Sequence, residues 1–174
     1  MAQDRGVLST RSPLFSAGPG VVFRLLEESY AALLPLLPSE KRAELVRDWK
    51  AYDAAITEER ETIGAAGFLS WSGESLVGFS SWDPRGYPVV GIGHNCIAPG
   101  FQGKGLGTLQ MRESLSQLAV AGFRMARVRT DEHPFFTSAL RMYEKCGFRV
   151  VDTEPGFLLP GYRTVVLERG LARS

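Results

Sequence analysis

A chain of 174 residues that is 44% hydrophobic carries enough apolar content for one full core and has no room for a second catalytic domain. Its 20 Lys and Arg against 19 Asp and Glu leave a formal net charge of +1, which argues against nucleic acid or an anionic membrane as partner and favours a small molecule or a protein. Two cysteines, Cys96 and Cys146, make no disulfide framework, and no apolar run reaches signal-peptide or membrane-span length, so a soluble cytoplasmic protein is expected.

Residues 1–18 lead into Gly18-Pro19-Gly20 and read as an N-terminal arm, with a short edge strand as an option, ahead of a domain over 19–174. Val22, Leu25, Leu26 and Leu33 recur at helical spacing, which predicts a helix over 21–34 closed by Pro35 and Pro38. A second helix follows Ser39 and runs to about 59, with Leu45, Trp49, Tyr52 and Ile56 on one face. Segments 66–72 and 75–82 read as a hairpin around Gly73-Glu74, and 89–98 as a long strand. Met111, Leu115, Leu118 and Ala119 mark the next helix, ended by Gly122, and 125–130 is a strand. A helix with Phe136, Ala139, Leu140 and Tyr143 on its apolar stripe closes at Gly147, and strands at 148–152 and 162–168 complete the chain. The order predicts an α/β fold, a single three-layer α-β-α domain with a mixed, largely antiparallel central sheet.

Gln102-Gly103-Lys104-Gly105-Leu106-Gly107-Thr108 lies where the long strand meets a helix. Glycines there let main chain approach a ligand, and the first N–H groups of the helix offer donors to a diphosphate. A Walker loop needs Ser or Thr after Gly-Lys, but Gly105 follows Lys104, and a dinucleotide fingerprint fails at its third glycine. Gln102, Gly105 and Gly107 give Gln-x-x-Gly-x-Gly instead, and 139–148 reads Ala-Leu-Arg-Met-Tyr-Glu-Lys-Cys-Gly-Phe. Together these resemble the acyl-CoA motif and the Ala-x-x-x-Tyr-Glu-Lys-x-Gly-Phe segment of the GNAT superfamily of N-acetyltransferases, over residues 89–168.

The resemblance implies that the strands at 89–98 and 125–130 run parallel and splay apart around the pantetheine arm of acetyl-CoA, with no metal. It implies that amides of Gly103 through Thr108 hold the diphosphate, with Gln102 shaping the loop and Lys104 adding charge. The thioester carbonyl is expected against the strand at Asn95, Cys96 and Ile97, and Tyr143 is expected to protonate the departing thiolate, although a packed core tyrosine would occupy the same position. The family's Asn seven residues before that tyrosine is Phe136 here, which leaves Thr137 or Ser138 as substitute cofactor contacts. Positions of a frequent family base are Gly91 and Gly93, so His94 is the base expected, provided that a bulge turns it inward.

Asp131, Glu132 and His133 read first as a solvated loop ahead of Pro134 and second as groups within reach of an acceptor. Trp71, Trp82 and Tyr30 read as core or as acceptor-pocket walls, and Arg112, Arg124 and Arg127 as solvated or as phosphate contacts. The implied activity is acetyl transfer from acetyl-CoA to a primary amine, on a small molecule or a protein, by direct attack in a ternary complex. A non-catalytic acyl-CoA-binding module and a nucleotide-binding regulator are the alternatives, and homo-oligomerisation stays open.

Overall fold

The computed structural model describes residues 10–172. The chain runs β1 (Thr10–Pro13), α1 (Val21–Ser29), α2 (Ser39–Glu58), β2 (Gly67–Ser72), β3 (Ser75–Trp82), β4 (Val89–Ile97), α3 (Leu106–Val120), β5 (Met125–Asp131), α4 (Thr137–Lys145), β6 (Arg149–Pro155) and β7 (Arg163–Gly170). The seven strands form a sheet of order β1-β2-β3-β4-β5-β7-β6, antiparallel at every step except β4 against β5. The expected α/β, three-layer arrangement is the one observed.

Strand alternation sorts the helices onto two faces. Phe79 joins Val22, Leu25, Leu26, Trp49 and Ile56 in the core beneath α1 and α2. Its neighbour Ser80 bonds the Ser114 hydroxyl of α3 on the other face, at 2.7 Å. On that face Met111, Leu115, Leu118 and Tyr143 close over Val90, Ala126, Val128, Val165 and Leu167.

Two expectations change at the N-terminal end. Of the expected arm, residues 10–13 pair antiparallel with β2 and Leu14 is buried in the core, while residues 1–9 lie outside the described residues. The first helix stops at Ser29 rather than 34, and the chain continues through tighter turns, such as Leu33 N–H to the Tyr30 carbonyl at 2.9 Å. Pro35, with no N–H to donate, bars any continuation beyond these turns. At its other end α1 has no local cap, and Asp53 of α2 accepts from Gly20 (2.7 Å) and Phe23 (3.0 Å).

The β4–β5 contact positions the site. Paired residues are Val89 with Met125, Val90 with Ala126 and Gly91 with Arg127, and there the pairing ends. Beyond it β4 continues to Ile97 against β3, and β5 continues to Asp131 against β7. The splay that the resemblance implied is therefore a feature of the fold.

A buried polar network fixes α3 beside this gap. The Ser70 hydroxyl donates to Gln110 Oε1 (2.7 Å), and Gln110 Nε2 donates to the Phe79 (2.8 Å) and Cys96 (3.3 Å) carbonyls. Gln110 is 2% exposed, so none of these groups has water to fall back on. Replacing Gln110 with Leu strands the Ser70 hydroxyl and weakens two carbonyl contacts, and is expected to cost about 2–4 kcal/mol of unfolding free energy in a urea titration.

Candidate active site

Gly105 begins α3 with φ +79°, and Gly103 has φ +76°, both in the left-handed region that a side chain disfavours. A Cβ built on either glycine meets nothing within 4 Å, so the loop presents bare backbone to open space. The first helical bond of this turn is Leu109 N–H to the Gly105 carbonyl at 3.3 Å, which leaves the N–H groups of Leu106, Gly107 and Thr108 without an intrahelical acceptor. Aligned donors at a helix N-terminus suit a diphosphate. Gln102 turns inward, its Nε2 donating to the Ile97 carbonyl at 2.9 Å, and so braces the loop against β4.

The loop opens on a cleft of about 470 Å³. One wall is Asn95, Cys96 and Ile97 of β4, and the facing wall includes Ser138, Arg141 and Met142 of α4. Tyr30, Phe135 and Phe136 close one end as an aromatic cluster, with centroids of Tyr30 and Phe135 5.4 Å apart. Ala98 donates to the Val77 carbonyl of β3 (2.7 Å), so by strand alternation the Ile97 and Asn95 amides turn away from β3 toward the gap. Those two amides are donors placed for a carbonyl oxygen.

Tyr143 sits directly behind this wall, 4% exposed, and its Oη accepts a 3.0 Å hydrogen bond from Asn95 Nδ2. Burial raises its pKa above that of an ordinary phenol, against a smaller lowering from Asn95. The phenol therefore keeps its proton at neutral pH, and with Asn95 occupying an oxygen lone pair its O–H remains available to donate.

His94 is not brought to the cleft. Between Ser80 and Trp82 the β3–β4 register slips, so that Ser81 faces both Gly93 and His94. A Cβ on Gly93 would lie 2.8 Å from the Ser81 hydroxyl, which is why glycine stands there. The bulge puts Val90 and Ile92 on the same face as Asn95, while His94 stays with Cys96 on the α1–α2 face. The imidazole packs on the Tyr52 ring, centroids 4.9 Å apart. Desolvation lowers its pKa, opposed by the charge of Asp48.

Thr137 is exposed and does not line the cleft, whereas Ser138 does. Cys96 reaches the cleft by position, but its sulfur points toward the Leu25 carbonyl at 3.8 Å and burial pushes its pKa up to about 11, so it is no nucleophile. Lys104 lies 5.6 Å from the Phe101 ring centre, beside the loop. Trp71 and Trp82 belong to the two cores rather than the cleft, and Arg127 pairs with Glu168. Arg141 and Lys145, which line the cleft from one face of α4, were missed in the sequence, although their spacing of four signals a shared helical face.

Splayed strands, a glycine cradle and a tyrosine beside the gap define an acyltransferase domain of mixed α/β type. The sequence model of the acetyltransferase (GNAT) family matches residues 23–148, well over half of the chain, and the protein belongs to that family. No curated protein matches it significantly. Among solved structures it is similar to a GNAT-family protein of Desulfovibrio desulfuricans (TM-score 0.70, 18% identity, covering 94% of this chain and 98% of the other). It is also similar to Ard1 of Thermoplasma volcanium (0.70, 16%, 95% and 99%) and to YncA of Salmonella typhimurium, solved with acetyl-CoA (0.64, 15%, 95% and 95%). At these identities the likeness is one of fold.

The partly buried His94 generates a pH prediction. Its folded pKa lies below the ordinary 6.5, so the unfolded chain binds the proton more tightly, and stability present above about pH 6.5 is lost as pH falls below it. Unfolding midpoints measured from pH 7.5 to 5 are expected to fall less steeply in His94→Gln than in the parent.

Proposed function

We propose that the protein transfers the acetyl group of acetyl-CoA to a primary amine, on a small molecule or a protein, by direct attack in a ternary complex in the cytoplasm. The observation that carries this reading is the gap between β4 and β5, which opens beside a helix N-terminus of bare backbone and carries the Asn95–Tyr143 pair on its edge.

Acetyl-CoA, when bound, supplies a thioester whose carbonyl carbon is open to attack. The amides of Gly103 through Thr108 hold its diphosphate, with Arg141 and Lys145 adding positive charge from α4. The Asn95 and Ile97 amides receive the carbonyl oxygen and stabilise the charge that builds there. Nitrogen of the neutral amine forms the new bond to carbon, and the carbon–sulfur electron pair leaves on sulfur. Tyr143 delivers its phenolic proton to that sulfur and is reprotonated from solvent. The amine proton is released to solvent and not to His94, whose ring packs on Tyr52 away from the cleft.

Thiol release from acetyl-CoA across a panel of primary amines tests the proposal. Turnover with at least one amine is expected, falling roughly 100-fold or more in Tyr143→Phe while acetyl-CoA affinity stays the same. Unchanged turnover in that variant would remove Tyr143 from the mechanism. Acetyl-CoA binding with no turnover by any amine would favour a non-catalytic acyl-CoA-binding module.

A further inference from the structure

Two side-chain atoms among the described residues are buried without a hydrogen-bond partner, Asp131 Oδ2 and Thr164 Oγ1. Both residues are 1% exposed. They are also direct cross-strand partners in the β5–β7 register, so the two orphan oxygens belong to one place in the fold. A buried carboxylate oxygen with no donor is costly, and such a pair calls for an occupant.

The place is informative. In the paired part of β4 and β5 each residue of β4 matches the residue 36 positions later, from Val89 with Met125 to Gly91 with Arg127. Carried past the end of pairing, the same offset sets Asp131 level with Asn95, to within the one extra residue of the bulge. Asn95 and Tyr143 thus stand on one lip of the splay and Asp131 on the other.

Among the described residues no cation serves the carboxylate. Arg127 pairs with Glu168, Arg129 with Glu154, and Arg163 donates to the Thr153 carbonyl at 3.0 Å. The other oxygen of Asp131 is engaged, accepting from the His133 backbone N–H at 2.8 Å, which fixes the carboxylate and leaves Oδ2 alone free. The His133 imidazole holds its Nδ1 on the Phe135 N–H at 3.1 Å, and its ring lies edge-on to Tyr162.

We infer that Asp131 and Thr164 form the subsite that receives the ammonium group of the acceptor. A primary ammonium has three N–H donors in tetrahedral array, and one to Oδ2 with one to Thr164 Oγ1 satisfies both orphans at once. The subsite recognises the protonated amine and makes no covalent bond, so it selects acceptors that arrive as cations; the bound ammonium releases one proton to solvent before its nitrogen, then neutral, attacks the thioester carbon. This inference rests on the acyl-transfer reading, deepening it from a primary amine to one bound in its charged form.

The test uses the full chain with CoA present and n-butylammonium chloride as probe, with n-butanol and matched sodium chloride as controls, read as the thermal unfolding midpoint. The wild type is expected to gain stability with butylammonium and not with butanol. Asp131→Asn keeps an oxygen for the His133 cap and removes the charge. That variant is expected to lose the butylammonium response, to titrate CoA as the wild type does, and to show no loss of stability of its own. For any amine that turns over, its kcat/KM is expected to fall about 10- to 100-fold. An equal butylammonium response in both proteins, no response in the wild type, or a drop in the Asp131→Asn midpoint would overturn the subsite, the last by showing that Asp131 holds the fold with an ordered water. CoA titration reports on the acyl-CoA reading separately, because Asp131 is not part of the cradle.

Discussion

The structure turns on the parting of two parallel strands after three residue pairs. Each strand is held from its outer side: β4 stays with β3 to Ile97, and β5 stays with β7 along its whole length. The sheet is in effect two half-sheets sharing a short seam, and the helices divide between its two faces. Trp49, Ile56 and Phe79 make a core under α1 and α2, and Met111, Leu118 and Val128 make another under α3 and α4. α3 packs on strands of both halves, and its attachment lies beside the gap. Gln110, tied to the carbonyls of Phe79 and Cys96, is that attachment.

Ending a ladder inside a protein leaves polar groups without their usual partners, each worth on the order of 1–3 kcal/mol when buried. Here such groups line the two sides of the gap. The Asn95 and Ile97 amides face the gap, the first-turn amides of α3 face the cleft, and Asp131 Oδ2 and Thr164 Oγ1 lie at the far lip. Where a fold leaves its unsatisfied donors and acceptors together, ligand chemistry is the physical reason to look for. The anion-binding donors and the lone carboxylate oxygen stand at different ends of that gap, which suits a thioester carrier on one side and a cation on the other.

Much of this was legible in the sequence because the signals were local. Glycines at 103, 105 and 107, the stripe of Ala139, Leu140 and Tyr143, and the hairpin around Gly73-Glu74 depend on near neighbours and emerged at the expected places, whereas Phe136 stands just before α4 and packs with Leu33 and Leu159. What was not legible depends on partners distant in the chain. The start of α1 is capped by Asp53, thirty residues and more away, and its end at Ser29 falls short of the apolar pattern that ran to 34. The side to which His94 points depends on an extra residue in β4 opposite Ser81, which no periodicity reveals. Asp131 read as loop because its meaning comes from Thr164 across the sheet and from the absence of a cation beside it.

The central claim is that the cradle and the gap beside it bind coenzyme A. Isothermal titration of the purified protein with acetyl-CoA and CoA, beside ATP and NAD, tests it most directly. Saturable binding of both CoA species, with ATP and NAD inert, is the result expected of a diphosphate cradle joined to a pantetheine gap. Binding of ATP or NAD in place of CoA would contradict it, because a cradle that takes any diphosphate owes nothing to the parting of β4 and β5.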